Sequence, residues 1–264
     1  MKTISERQKS ILYQIVETYI ETALPVGSEV LRDRYHLKYS SATLRNEMGA
    51  LVHEGYLTQP HTSSGRIPTD EGYRQYVNQI LSSEANQSLQ YRDIEGSLID
   101  YSHEVDEPEF FVEGISEWLS RLTRETSIVY LTNPFNSLVR HTRLGIQDRR
   151  FYLQGSSYIL EKPEFRDVDK IRLIFRALEE KNKLMEWMTA NLNNKSNVTV
   201  RIGKETDYQA FEDCSIVAAH YFLGDEHAGT IALLGATRMQ YIQTVPLIAK
   251  VAQVVEKILN EKYR

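Results

Sequence analysis

The sequence of 264 residues predicts an α+β protein, because its two ends differ in pattern. Apolar residues recur with helical spacing over most of the first 126 residues. From Thr126 onward, β-branched and aromatic runs bounded by turn residues are mixed with long helical patterns. Strands mixed with long helices favour an α+β domain with a mostly antiparallel sheet. The length allows one large core or two ordinary cores and slightly favours two.

Bulk composition is that of a soluble globular protein, with 41% hydrophobic and 25% charged residues. No run of eighteen apolar residues occurs, so we expect no transmembrane helix. The amino terminus is polar and lacks the apolar core of a secretory signal. Cys214 is the single cysteine, which excludes an internal disulfide and a cysteine-based zinc site. A reducing cytoplasm is therefore the expected compartment.

Two helices are predicted before residue 36. Ser5 and Gln8 have the spacing of a capping box, in which each side chain satisfies the other residue's backbone N–H. Pro25 and Gly27 interrupt the first helix, and Ser28 is expected to cap a second, short one. The apolar face of the first helix comprises Ile11, Leu12, Ile15, Val16, Tyr19 and Ile20.

The third helix presents one amide among small residues. It follows a turn at His36–Tyr39 and is capped by Ser40 or Ser41. At about 100° per residue, Asn46 points away from the core and Arg45 lies at the edge of that outward face. The core side comprises Leu44, Met48, Leu51 and Val52, and the outward side comprises Ala42, Thr43, Gly49 and Ala50. Small residues let a helix backbone lie deep in a groove; the alternative is close packing against another helix.

A strand and a loop follow the third helix. Gly55 fits the position just past the helix end, and Tyr56–Gln59 has the composition of a strand. Residues 60–68 are too rich in Ser, Thr, Gly and Pro for a helix, and Thr69 is expected to cap a fourth helix. The predicted order is that of a winged helix-turn-helix: three helices, a strand, a loop, and a segment that leads back from the loop to the fourth helix. A solvated turn is the alternative interpretation of the loop.

The remaining chain mixes helical and extended patterns. Two helical pieces are predicted between Leu89 and Thr126, separated by Asp106–Glu109. A long helical pattern covers Val168–Leu192, and a closing helix covers Met239–Tyr263 with a possible bend at Pro246. The predicted strands are Ser127–Leu131, Leu138–Ile146, Arg150–Gln154, Val198–Ile202, Ser215–Phe222 and Thr230–Leu234.

The net charge of −5 does not exclude a nucleic-acid partner, because the charge is unevenly distributed. Residues 1–83 contain nine Lys or Arg and nine Asp or Glu, so the remainder carries the whole deficit. Arg34–Asn46 holds three basic residues and no acid, and Gly55–Thr69 holds Arg66 and no acid. A phosphate contact depends on the sign of the charges near it rather than on the net charge of the chain, because salt screens charges beyond a Debye length of about 8 Å. We therefore expect few phosphate contacts per subunit and a modest salt dependence.

Six motifs, spread over both ends of the chain, carry a family resemblance. They are ERQ at Glu6–Gln8, PVGS at Pro25–Ser28, SSATLRNEM at Ser40–Met48, QPHTSSGRIPTDEGYRQYV at Gln59–Val77, PEF at Pro163–Phe165 and GATRMQY at Gly235–Tyr241. In these motifs the chain resembles the HrcA family of bacterial heat-inducible transcription repressors. The resemblance implies a repressor of chaperone operons that binds an inverted-repeat operator, called CIRCE, as a homodimer. It also implies dependence on the chaperonin GroEL and a GAF-like domain that carries a dimerising insertion.

On this chain the resemblance predicts three parts: a DNA-binding domain at 1–83, a helical connector with a possible dimer contact at 84–126, and a GAF-like regulatory domain at 127–264. The predicted DNA-binding residues are Ser40, Ser41, Thr43, Arg45 and Asn46 on the reading helix and His61, Thr62, Ser63, Ser64, Gly65 and Arg66 on the wing. The chain is shorter than usual for the family, and we expect the loss between Leu131 and Gly155, where the dimerising insertion is shortened or missing. Whether the usual dimer contact is kept is therefore left open. Ala236 and Gln240 stand where the family commonly has Pro and Asp.

The chemistry of these side chains suggests separate roles. Asn46 can bond adenine N6 and N7 together, and Arg45 can reach a guanine or a phosphate. Hydroxyls in the first turn of the third helix favour phosphate oxygens. Arg66, expected at the tip of the wing, should enter the minor groove or lie along the DNA backbone.

Enzymatic, metal and cofactor chemistry is not predicted. No Ser/His/Asp order, phosphate-binding glycine loop or HExxH motif occurs. His220 and His227, with Asp225 and Glu226, could form a hairpin metal site, but ordinary surface turn residues are the favoured interpretation. Cys214 is expected to be a small buried apolar residue.

The leading hypothesis is a dimeric repressor that places two reading helices on an inverted repeat. A second hypothesis is a regulator gated by a small molecule in the GAF-like domain. A third is an interaction module that kept only the winged-helix shape; the joint presence of Arg45, Asn46 and Arg66 argues against it.

Overall fold

The computed structural model describes residues 4–61, 64–82, 92–131, 150–191 and 198–262. The chain divides into two compact units. The first comprises Met1–Ser82 with Thr237–Tyr241, and the second comprises Ser83–Ala236 with Ile242–Arg264. Helices and sheets occur together, which confirms the predicted α+β class.

The first unit has the element order of a winged helix-turn-helix, as predicted. Its two strands pair antiparallel, with Leu57 opposite Pro68. The helices are α1 (Glu6–Thr22), α2 (Ser28–Arg34), α3 (Ser41–His53) and α4 (Asp70–Ser82), and the strands are β1 (Leu57–Thr58) and β2 (Ile67–Pro68).

Short-range signals begin and end these helices. The backbone N–H of Gln8 donates to the Ser5 hydroxyl over 3.2 Å, and the Ser5 N–H donates to the Gln8 side chain over 2.9 Å, which confirms the capping box. Ser40 caps α3 by accepting from the backbone N–H of Thr43 at 3.1 Å. Gly55 has a φ of 86°, in the left-handed region that ends helices.

The prediction that Ser28 caps α2 is wrong. Gly27 is the N-cap residue and offers no side chain, whereas Ser28 is already the first helical residue. The Ser28 hydroxyl instead forms a 2.8 Å hydrogen bond with the hydroxyl of Ser41 at the start of α3. This bond joins the two helices of the helix-turn-helix at their amino ends.

The core of the first unit forms where α1, α3 and the short sheet meet. Its fully buried side chains include Leu12, Ile15, Leu31, Leu44 and Leu51. The segment Thr237–Tyr241 also belongs to this unit: Arg238 donates to the Ile20 carbonyl over 3.0 Å, and Met239 is buried.

The second unit is built on a five-stranded sheet, whose antiparallel pairing agrees with the prediction. The strand order is β4-β3-β7-β6-β5, and β6 and β7 form the longest pairing. The strands are β3 (Thr126–Leu131), β4 (Arg150–Gln154), β5 (Thr199–Ile202), β6 (Cys214–Leu223) and β7 (Glu226–Ala236), and the helices are α5 (Arg92–Glu104), α6 (Pro108–Thr123), α7 (Val168–Glu179), α8 (Lys181–Asn191) and α9 (Tyr241–Lys262).

Three features of the second unit bear on the sequence predictions. The sequence predicts one helix over Val168–Leu192, but the structure has two helices there, α7 and α8. They are separate because the backbone of Glu180, with a ψ of 59°, is outside the helical region of φ/ψ space. Pro246 lies inside α9. Cys214 is fully buried, as expected, and burial raises the pKa of its thiol above the ordinary range. The strand predicted at 138–146 lies outside the described residues.

Candidate nucleic-acid interface

Helix α3 has the predicted outward face. Ala42, Arg45, Asn46 and Gly49 are exposed, and Thr43 and Ala50 are partly buried. On the opposite side, Leu44, Met48 and Leu51 are buried, whereas Val52 is only partly buried. The amide of Asn46 is therefore open to solvent and flanked by residues with little or no side chain.

Hydroxyl groups in the first turn of α3 already have partners within the protein. The Ser40 and Thr43 hydroxyls lie 2.9 Å apart, and Ser40 also accepts from the Thr43 backbone. The hydroxyl of Ser41 bonds to Ser28. Of the three predicted hydroxyls, Ser40 is the most exposed, and Ser41 and Thr43 are partly buried.

The wing is the loop between β1 and β2. Its turn is closed by Ser64, whose hydroxyl accepts from the His61 backbone N–H at 2.9 Å and donates to the His61 carbonyl at 2.7 Å. His61 is exposed. Thr62 and Ser63, also predicted to bind DNA, lie outside the described residues.

Arg66 is not at the tip of the wing, contrary to the sequence prediction. Its backbone pairs with Val26, just before α2, through two hydrogen bonds of 2.9 Å each. Gly65 makes this pairing possible, because a Cβ there would lie 2.5 Å from the Val26 carbonyl carbon. The guanidinium donates to the Ser64 carbonyl over 3.2 Å and is partly buried. Arg66 therefore belongs to the base of the wing.

A cleft of about 490 Å³ lies between α2, α3 and the wing. Arg45 of α3 and Arg66 of the wing both line this cleft. Sequence reasoning missed Ser28 and Gln59 as part of this site, because no local pattern links the three separate elements that line it. The lining residues are Val26, Gly27, Ser28, Glu29, Val30, Arg45, Met48, Gln59, Ser64, Gly65 and Arg66.

A second polar cluster lies in the other unit, on β6 and β7. His227 Nε2 lies 3.1 Å from His220 Nδ1, which lies 2.6 Å from the hydroxyl of the buried Thr230. The two histidines are partly buried strand residues, so the prediction of surface turn residues is wrong. Two causes lower the pKa of His227 to about 4: burial, which is the larger, and the charge of the neighbouring His220.

Within the described ranges, no three His, Cys, Asp or Glu side chains are grouped closely enough to hold a metal ion. In the same ranges, no helix combines the length and the apolar character needed to cross a bilayer.

The fold and the α3 face together define a winged helix-turn-helix transcription regulator with an α+β second unit. A family model described as the HrcA protein C-terminal domain matches residues 137–245. The chain is 30% identical to the heat-inducible transcription repressor HrcA of Oceanobacillus iheyensis, over 99% of both chains. It is 28% identical to the protein of the same name from Brevibacillus brevis, over 98% of this chain and 99% of that one. The chain belongs to the HrcA family of heat-inducible transcription repressors.

A solved crystal structure described as that of a hypothetical protein has the same fold, with a TM-score of 0.77 and 20% identity. The match covers 98% of this chain and 100% of the chain in that crystal structure. The alignment with the Oceanobacillus relative runs over 350 positions, whereas this chain has 264 residues. Part of that relative therefore has no counterpart here. The relatives' names also favour a heat-inducible repressor over a small-molecule-gated regulator.

Proposed function

We propose that this protein represses transcription by inserting α3 into the major groove of an operator, with the wing against the DNA backbone. The observation that carries the proposal is the exposed amide of Asn46, opposite buried Leu44 and Met48. In the major groove, the NH₂ group of an asparagine amide can donate to adenine N7 while the amide oxygen accepts from the adenine N6–H₂ group. Ala42 and Gly49 beside it let the helix backbone approach the bases closely.

Electrostatics support a backbone contact at the cleft. Arg45 and Arg66 line one cleft together with a single acid, Glu29, so the basic residues are in excess there. A DNA phosphate is the anion that a duplex presents beside a reading helix. Because Arg66 is held at the base of the wing, we assign it to a phosphate rather than to the minor groove. We also propose that the other predicted wing residues contact DNA, namely His61, Thr62, Ser63, Ser64 and Gly65.

We propose a separate role for each of the three predicted parts of the chain. Residues 1–83 bind double-stranded DNA, 84–126 connect and contribute a dimer contact, and 127–264 form a GAF-like regulatory domain. Two copies acting on an inverted repeat of the CIRCE type would place their reading helices about one helical turn, or a multiple of it, apart. We assign the protein to the cytoplasm, where that operator and GroEL are found together.

Heat response is proposed to act through GroEL. If the active fold of the repressor depends on this chaperonin, unfolded client proteins compete for it at high temperature and the active fraction falls. Adding GroEL to purified protein should raise the fraction that binds DNA, and the gain should be largest at high temperature. An active fraction that does not respond to GroEL at any temperature contradicts this part of the proposal.

A footprint on the promoters of the organism's own chaperone operons tests the proposed function. The expected result is protection of an inverted repeat, with both half-sites protected at the same protein concentration because a dimer binds. Unrelated promoter fragments of equal length serve as the control. Equal protection of control and chaperone promoters contradicts the proposal.

A further inference from the structure

An arginine in the first turn of α1 lies against α3. The guanidinium of Arg7 forms an ion pair with the carboxylate of Glu47. The same guanidinium lies 5.7 Å from the centre of the Tyr39 ring, a cation–π distance. The Arg7 side chain remains 50% exposed, whereas that of Glu47 is 13% exposed. The acid is therefore largely enclosed while the base keeps an open side.

The position of Arg7 is not explained by its own helix. A positive side chain in the first turn lies at the positive end of the helix dipole, which is the unfavourable end. Lys9, two residues further along α1, pairs with Glu6 of the same helix at 2.7 Å. Arg7 instead reaches across to Glu47 of α3 and Tyr39 of the preceding turn, so tertiary contacts fix its place.

These contacts place Arg7 beside the reading face. At about 100° per residue, Glu47 lies on one side of Asn46 around α3, and Arg45 lies at the same angle on the other side. Thr43 lies one turn before Glu47, on the same edge. The outward face is thus bordered by Arg45 on one edge and by the Arg7–Glu47 pair on the other.

We propose that Arg7 contacts a DNA phosphate at this second edge, positioned by Glu47 and Tyr39; the inference rests on the proposed function. A guanidinium has five N–H donors in a planar fork, so pairing with one carboxylate leaves donors for a phosphate. Stacking on Tyr39 restricts its rotation before DNA arrives. Glu47 would repel a nearby phosphate, and Arg7 neutralises that charge while adding its own contact.

The salt dependence of DNA binding tests this role. Arg7→Gln should lower the affinity for operator and for scrambled duplex by the same factor. It should also reduce the slope of log affinity against log salt by about 0.9 per subunit, the value for one lost phosphate contact. Lys9→Gln, with the same charge change in the same helix, is the matched control and should keep the wild-type slope. An Arg7→Gln slope equal to the Lys9→Gln slope overturns the proposal.

A second measurement needs no substitution and remains decisive if Arg7→Gln does not fold. Operator DNA should protect Arg7 of the full chain from modification by phenylglyoxal, read by peptide mass spectrometry. Equal modification with and without DNA overturns the inference. The same titrations distinguish a failure of the proposed function from a failure of the inference about Arg7. Absence of operator binding by the unaltered protein contradicts the proposed function, whereas operator binding without a role for Arg7 contradicts only the inference.

Discussion

The backbones of Arg66 and Val26 are joined by two hydrogen bonds, each 2.9 Å long. This short pairing fastens the base of the wing to the residue that precedes Gly27 and α2. Its consequence is that the Arg66 backbone is fixed to the body of the domain, and Arg66 lines the same cleft as Arg45. The wing therefore has two parts, a charged base and a polar turn closed by Ser64.

Gly65→Ala should loosen the wing. An added Cβ would lie 2.5 Å from the carbonyl carbon of Val26 and 2.6 Å from that of Pro25, and backbone atoms cannot rotate away. We expect a loss of about 1–3 kcal/mol in the free energy of unfolding, together with weaker operator binding. Thermal unfolding and a DNA titration measure the two effects. Wild-type stability in the variant would show that the Val26–Arg66 pairing is not held as tightly as described.

Gly49→Ala should raise the stability of the protein while lowering its affinity for operator DNA. A Cβ at this exposed position in α3 meets no other atom within 4 Å, and alanine favours a helix interior over glycine by about 1 kcal/mol. The variant should therefore be more stable. Its operator affinity should fall nevertheless, because the added methyl group keeps the helix backbone away from the bases.

Gly96→Ala is the matched control for that experiment, since Gly96 is also exposed, lies inside a helix and has no atom within 4 Å of an added Cβ. It should gain stability and bind operator like the unaltered protein. Operator binding by Gly49→Ala at full wild-type affinity would mean that this part of α3 does not approach DNA closely.

The stability of the second unit should fall as the pH falls from about 6.5 to about 4. Burial and the neighbouring His220 lower the pKa of His227 from 6.5 to about 4, so the folded state disfavours its protonated form. Because the unfolded chain binds the proton first, this contribution to stability is complete above pH 6.5 and is lost progressively below it. Denaturant unfolding at several pH values measures the slope.

His227→Gln should flatten that slope, whereas His103→Gln, at an exposed position in α5, should leave it unchanged. An identical pH dependence in both variants and the unaltered protein would mean that the His220–His227 cluster does not govern acid sensitivity.

Features encoded within a few residues could be predicted from the sequence. The Ser5–Gln8 capping box and the Ser40 cap depend on a side chain and a backbone N–H three residues apart. The orientation of Asn46 depends only on helical periodicity and on Leu44 and Met48 facing inward. The antiparallel sheet follows from strand patterns separated by turns.

Features set by distant pairing could not be predicted. The location of Arg66 depends on its backbone partner Val26, and that of Arg7 on Glu47, each about forty residues away. The break at Glu180 carries no Pro or Gly signal, since the chain there reads EEKNK. The closeness of His220 and His227 depends on the pairing of β6 with β7, in which His220 lies opposite Thr230 and His227 lies opposite Phe222.

The most direct test of the account is the effect of Asn46→Ala on sequence discrimination, measured as the ratio of affinities for operator and scrambled duplex at one salt concentration. Loss of a bidentate contact worth about 1–3 kcal/mol should lower operator affinity roughly 5- to 150-fold and leave scrambled-duplex affinity unchanged. Asn78→Ala, at an exposed position in α4, is the control and should change neither. An unchanged operator affinity for Asn46→Ala would contradict the assignment of α3 as the reading helix through this amide.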